Sequence, residues 1–98
     1  MRAPIVLFAL LVPLAAHGER ATDRYADVQL GVAQEFLLRA REAAQAGQRS
    51  LAGALAWQAT LDARIAVGMT ESAAIRVGAS AVASEAERLL HGIASAAP

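Results

Sequence analysis

Apolar positions along the chain follow two different rules. From Ala3 to Ala16 they run without a period, and no charge falls between Arg2 and Glu19. After that the apolar residues return at steps of three and four, the spacing that places side chains on one face of an α-helix. Tyr25, Val28, Val32, Phe36, Ala40 and Ala43 form the first such series, and they predict a helix from about Thr22 to Ala46 with that series as its inner face. Thr22 suits the N-cap, and Asp23 in the first turn suits the helix dipole. Glu35 and Arg39 stand four apart in the favourable order for a surface ion pair. Gly47 suits the left-handed position that closes a helix.

The second series is longer. It starts near Gln48–Ser50 and runs Leu51, Ala54, Trp57 or Gln58, Leu61, Ile65 and Gly68, then Ser72, Ile75, Ala79, Val82, Ala86, Leu89 and Ile93. Its phase never breaks, which predicts one helical region over about 49–91 ending at Gly92. No strand-like alternation occurs, and between the apolar N-terminal stretch and Pro98 there is no proline. The fold class expected is therefore all-α, an antiparallel helical hairpin with a long second helix. A local signal competes: Gly68 suits the end of one helix, Thr70 the start of another, and Glu71 its first turn. That alternative is a small three-helix bundle with a break near Gly68–Thr70.

The N-terminal stretch reads as a signal peptide, with Arg2 as its positive n-region and about fourteen apolar residues as its h-region. A membrane-spanning helix needs about twenty, and Pro13 would interrupt one near its end. Ala16 and Gly18 supply the small side chains that signal peptidase selects, so cleavage is expected before Glu19. The expected domains are the signal peptide at 1–18 and an alanine-rich helical domain at 19–98, exported to the periplasm.

Composition narrows the function. The chain has no cysteine, which removes disulfides, thiolate metal ligands, thiol nucleophiles and the lipid-bearing cysteine of a lipoprotein. Its net charge is zero and all nine basic residues are arginine. Nothing resembles the basic stripe that nucleic acid or anionic lipid would need. Alanine favours helix but buries little area, so a domain of this size is expected to be marginal alone and to self-associate or to bind an envelope protein.

The ordered set Tyr25-Ala26, Ala33, Ala40-Arg41, Ala43-Ala44, Gly47, Leu55-Ala56, Ala59 and Asp62-Ala63 resembles a bacterial envelope family of unknown function. Its members are short alanine-rich helical hairpins, usually in exported lipoproteins and sometimes preceding an OmpA-like domain. The resemblance covers Tyr25 to Ala66 and implies a helical fold and an envelope location, with no activity. Gln48 replaces the acidic residue that often follows the turn glycine in the family, and the lipoprotein cysteine is absent.

Candidate chemistry is sparse. His91 is the one histidine after the expected cleavage, placed in a last helical turn that suits a cationic ring. No serine stands ready to complete a nucleophilic set with it and Glu87. Glu85, Glu87 and Arg88 read as a solvated face, because residues two apart on a helix point in different directions. Asp62 reads as a partner for Arg39 or Arg41 across the hairpin, an ion pair that would fix register. Trp57 reads as core or as an interface anchor. Tyr25 and Phe36 complete the set of possible interaction residues. The expected function is a non-catalytic periplasmic helical interaction module without cofactor or metal; the alternative is a small-molecule or metal-binding helical protein with its ligand near Trp57 and Asp62.

Overall fold

The computed structural model describes residues 2–96, with side-chain surroundings for residues 21–95. It is all-helical, with three helices and no strand among the described residues: α1 (Arg2–Gln45), α2 (Arg49–Met69) and α3 (Ala73–Ala96). The side chains of the expected signal peptide lie outside the described residues. The backbone of α1 is already helical from Arg2 and continues through Pro13, Gly18 and Thr22. Thr22 is therefore an interior helical residue in this chain and not an N-cap.

Gly47 ends α1 as its conformation allows. Its φ is +77°, the left-handed region. The Gln48 amide donates to the Ala43 carbonyl (2.9 Å) and the Gly47 amide to the Ala44 carbonyl (3.1 Å). Those two bonds are the Schellman pair that satisfies the last carbonyls of a helix. The chain then turns directly into α2.

The region expected as one helix over 49–91 is divided, and Gly68 does not divide it. Gly68 lies inside α2, and the helix closes at Met69, with Thr70 in extended conformation (φ −131°, ψ 150°). The Thr70 hydroxyl donates to Asp23 Oδ1 (2.5 Å) and accepts from the Ser72 amide (3.0 Å). Ser72 caps α3: its hydroxyl accepts from the Ile75 amide (3.4 Å) and its carbonyl from the Arg76 amide (3.0 Å). Hydroxyl groups that bond to local backbone compete with helix continuation, and here two in three residues turn the chain back. α3 also runs past Gly92 to Ala96, since one glycine inside an exposed helix costs only about 1 kcal/mol. His91 consequently lies before the last turn, exposed to solvent.

Ala40 and Ala43 of α1 and Ala79, Val82 and Ala86 of α3 are buried as the spacing predicts, while the inner faces of the rest of α1 and of α2 differ from the expected ones by about one residue. α1 buries Ala26, Leu30, Ala33, Leu37, Ala40 and Ala43, while Tyr25, Val28 and Val32 are exposed and Phe36 is half-buried. α2 buries Ala52, Ala56, Ala59, Ala63 and Ala66, while Leu51, Trp57, Leu61 and Ile65 are exposed. A shift of one position turns a helix by about 100°, so alanines face inward where the larger side chains were expected. Eleven of the fourteen buried hydrophobic residues are alanine. The central cluster draws on all three helices, with Leu30 and Leu37 from α1, Ala63 from α2, and Ala79 and Val82 from α3.

α3 is held from both flanks. Arg41 of α1 pairs with Glu85, and Arg64 of α2 pairs with Glu87 (2.5 Å). The two glutamates are not a passive solvated face: positions two apart on a helix diverge by about 200°, which aims each at a different neighbour. The pairs are about half exposed and each is worth at most about 1 kcal/mol. Two turns before Glu85, Gly78 meets Leu30, whose Cδ2 would stand 3.1 Å from a Cβ at that position.

Two glycines should respond oppositely to alanine. Gly47→Ala puts a side chain in the left-handed region and should lower stability by about 1–2 kcal/mol. Gly31→Ala, at an open helical position with nothing within 4 Å, should raise it by about 0.5–1 kcal/mol. Urea unfolding of both variants at equal protein concentration measures the contrast.

Candidate interaction surface

The hydrogen bond between Asp23 and Thr70 fixes how α1 and α2 lie against each other. With Gly47 turning the chain between them, the two helices run antiparallel, and residues whose numbers add to about 93, as 23 and 70 do, lie level. Val28 is therefore level with Ile65, and Val32 with Leu61. A groove near the turn, lined by Arg39, Glu42, Ala43 and Ala46 of α1 and by Leu51 and Leu55 of α2, identifies the side these residues share. The helical period carries that side of α1 back through Phe36, Val32, Val28 and Tyr25, and that side of α2 on through Gln58 to Ile65, with Leu61 at its outer edge.

α3 packs on the other side of the α1–α2 layer, through Leu30, Arg41 and Arg64. One face of the layer is thus covered, and the opposite face is open, with apolar side chains along it and Arg24 and Glu42 at its two ends. Tyr25 is 66 % exposed and Val28 63 %. No charged residue occurs from Ser50 to Leu61. On α1 the nearest opposite charges are already paired, Arg39 Nε donating to Glu35 Oε1 at 3.1 Å as the spacing predicted. Scattered single apolar residues are ordinary on protein surfaces, but a contiguous set marks an interaction site.

The four residues singled out from sequence are separated by this geometry. Tyr25 lies at one end of the open face and Phe36 is half-buried beside the central cluster. Trp57 is 53 % exposed, so it is a surface residue and not core. Asp62 is 7 % exposed and buried. Five residues apart on one helix is about 140° of rotation, so Trp57 and Asp62 do not flank a common interior site. Val32, Leu51, Leu61 and Ile65 belong to the surface, although the apolar spacing predicts them as core.

Asp62 does not make the expected ion pair, because Arg39 is taken by Glu35 and Arg41 by Glu85. Its Oδ1 accepts from Gln58 Nε2 at 3.2 Å, and its buried Oδ2 has no hydrogen-bond partner. A buried acceptor left unpaired costs roughly 1–3 kcal/mol. Thr60, also fully buried, avoids that cost by donating to the Ala56 carbonyl at 3.0 Å. Among the described residues no group of three or more histidines, cysteines or carboxylates is placed to hold a metal ion. No helix, among those residues, is long and apolar enough to cross a membrane.

Two substitutions separate these polar groups by sign. Asp62→Ala removes the unpaired oxygen, continues the alanine seam and should raise stability by about 1 kcal/mol. Thr70→Val should lower it by about 1–2 kcal/mol, and adding Asp23→Ala should cost little more, because the two side chains share one bond. Chemical denaturation of the single and double variants provides the test.

No family model matches this chain, and neither a curated protein nor a solved structure matches it.

Proposed function

We propose that this protein is exported to the periplasm, loses residues 1–18, and acts there without catalysis as a helical module that binds protein through the open face of α1 and α2. The observation that carries the reading is the inverted use of side chains. The chain buries alanine and leaves Tyr25, Val28, Leu51, Trp57, Leu61 and Ile65 at the surface. A helix layer that is small inside and large outside has the composition of an interface, where large apolar and aromatic side chains anchor a partner. Export rests on Arg2, the apolar run and the Ala16-His17-Gly18 cleavage pattern. Membership in the alanine-rich envelope family rests on the Tyr25-Ala26 to Asp62-Ala63 set. A three-helix bundle is preferred over a hairpin with one long second helix, supported by the central cluster that draws on α1, α2 and α3.

The absence of catalysis is argued from the residues available. His91 is exposed on α3, Glu87 is engaged with Arg64, and Asp62 lies in the helix seam. These groups do not converge on a site where a reacting atom would sit.

Two measurements test the proposal. Mass spectrometry of the protein recovered from the periplasm should show a chain beginning at Glu19; recovery of the full chain from the cytoplasm would remove the export reading. A photo-reactive amino acid at position 61 should give one discrete protein adduct in living cells, and the same group at Val77, 70 % exposed on α3, should give none. Adducts absent from position 61, or equal from both positions, would count against the face as an interaction site.

A further inference from the structure

Resting on the reading of the open α1–α2 face as an interaction site, we infer that its occupant is a second copy of this chain, packed face to face about a twofold axis near Val32 and Leu61.

The first argument is area. Tyr25, Val28, Val32, Leu51, Leu61 and Ile65 are each between about one-third and two-thirds exposed. That leaves an exposed apolar patch on the order of 500 Å², within the range of about 300–600 Å² at which the largest patch on a monomer is often functional. The alanines and side-chain stems between them bring the face near the roughly 800 Å² per partner of a stable interface. It is also as large as the biggest apolar patch usually tolerated on a monomer.

The second argument is charge. A twofold interface brings one patch against itself, so the patch must be neutral or self-complementary. This face meets that requirement. Its α2 half carries no charge from Ser50 to Leu61, and on α1 the Glu35–Arg39 pair cancels in the middle while Arg24 beside Tyr25 and Val28 balances Glu42 in the groove at the turn end. A twofold axis between those ends sets the Arg24 end of one copy against the Glu42 end of the other, so the patch is self-complementary.

The third argument is register. Val32 and Leu61 are level and lie near the middle of the apolar stretch. An axis between them sets the Tyr25–Ile65 end of one copy against the Leu51–Leu55 end of the other. Large side chains then fill the layer between two alanine-seamed units, and each unit gains the bulky core it lacks alone.

The experiment uses the protein as purified from the cells that express it. Sedimentation equilibrium over a wide concentration range should show a monomer–dimer equilibrium. Leu61→Glu should weaken the dimer by about 30-fold or more, while circular dichroism shows the helices intact because position 61 is outside the core. The chain has no cysteine, so Leu61→Cys should form a disulfide-linked dimer on mild oxidation, and Val77→Cys on α3 should not. A monomer at every concentration, or a Leu61→Glu variant that dimerises normally, overturns the inference. Equal crosslinking from positions 61 and 77 does so as well. If the protein is monomeric while the photo-reactive group at position 61 captures a different protein, the second copy is excluded and the interaction face stands. If neither dimer nor adduct forms, both readings fall.

Discussion

Everything in this fold follows from the close approach of α1 and α2 along a seam of alanines. Ala26, Ala33 and Ala40 on one helix and Ala52, Ala56, Ala59, Ala63 and Ala66 on the other are all fully buried. Side chains of one methyl group let helix axes approach to the short end of the usual separation of about 8–10 Å. A larger residue at any of these positions would wedge the helices apart along their length. The seam therefore dictates where every larger side chain in α1 and α2 must go.

Those side chains have two destinations. A few, chiefly Leu30 and Leu37 with Phe36 and Val67 packed beside them, fill the space where α3 brings Val82 across the layer. Others, Tyr25, Val28, Val32, Leu51, Leu61 and Ile65 among them, are left at the surface. The thin interior and the apolar surface are thus one fact seen from two directions. An alanine contributes little buried area, at roughly 0.8 kcal/mol per methylene, so the folded state leans on devices that fix its chain reversals. Gly47 supplies one. The Thr70–Asp23 bond, with Ser72 capping α3, supplies the other, and it ties the far ends of α1 and α2 together as well as turning the chain.

The helical class and the Gly47 reversal were legible because period and glycine chemistry are local properties. The phase of α3 was legible as well, with Ala79, Val82 and Ala86 buried as their spacing predicts, but the phase of α2 and of most of α1 was not. Ranking residues by hydrophobicity selects Tyr25, Val32, Leu61 and Ile65 as the inner face, but alanines one position away give an equally regular series. Only the geometry of close packing chooses between them. The break near Gly68–Thr70 was legible only as the alternative to one long helix, for a related reason. Three connecting residues preserve the three-four rhythm across the junction, so the pattern of apolar positions reads the same through a turn as through a helix. The hydroxyls of Thr70 and Ser72 carried the information, and the bond that decides the matter runs to Asp23, forty-seven positions away. Glu85 and Glu87 were opaque on the same ground: their arginine partners belong to other helices.

Why one face stays open is a matter of counting layers. Two helices in contact form a slab with two broad sides, and a third helix covers only one of them. α3 is confined to its side by charge as well as by shape. Glu85 and Glu87 diverge across its core-facing stripe and reach Arg41 and Arg64 on either flank, so its orientation between α1 and α2 is fixed from both edges. It cannot slide round to shield Val28 or Ile65 without breaking one of those pairs and pulling Leu30 from Gly78. The exposed residues are also not replaced by charged ones, as they would be on a surface meant for water alone. A chain that leaves Tyr25, Val28, Val32, Leu51 and Ile65 on the uncovered side of a two-helix slab has the makings of a second layer, and the balance of Arg24 at one end of that side against Glu42 at the other favours a layer built from the chain itself.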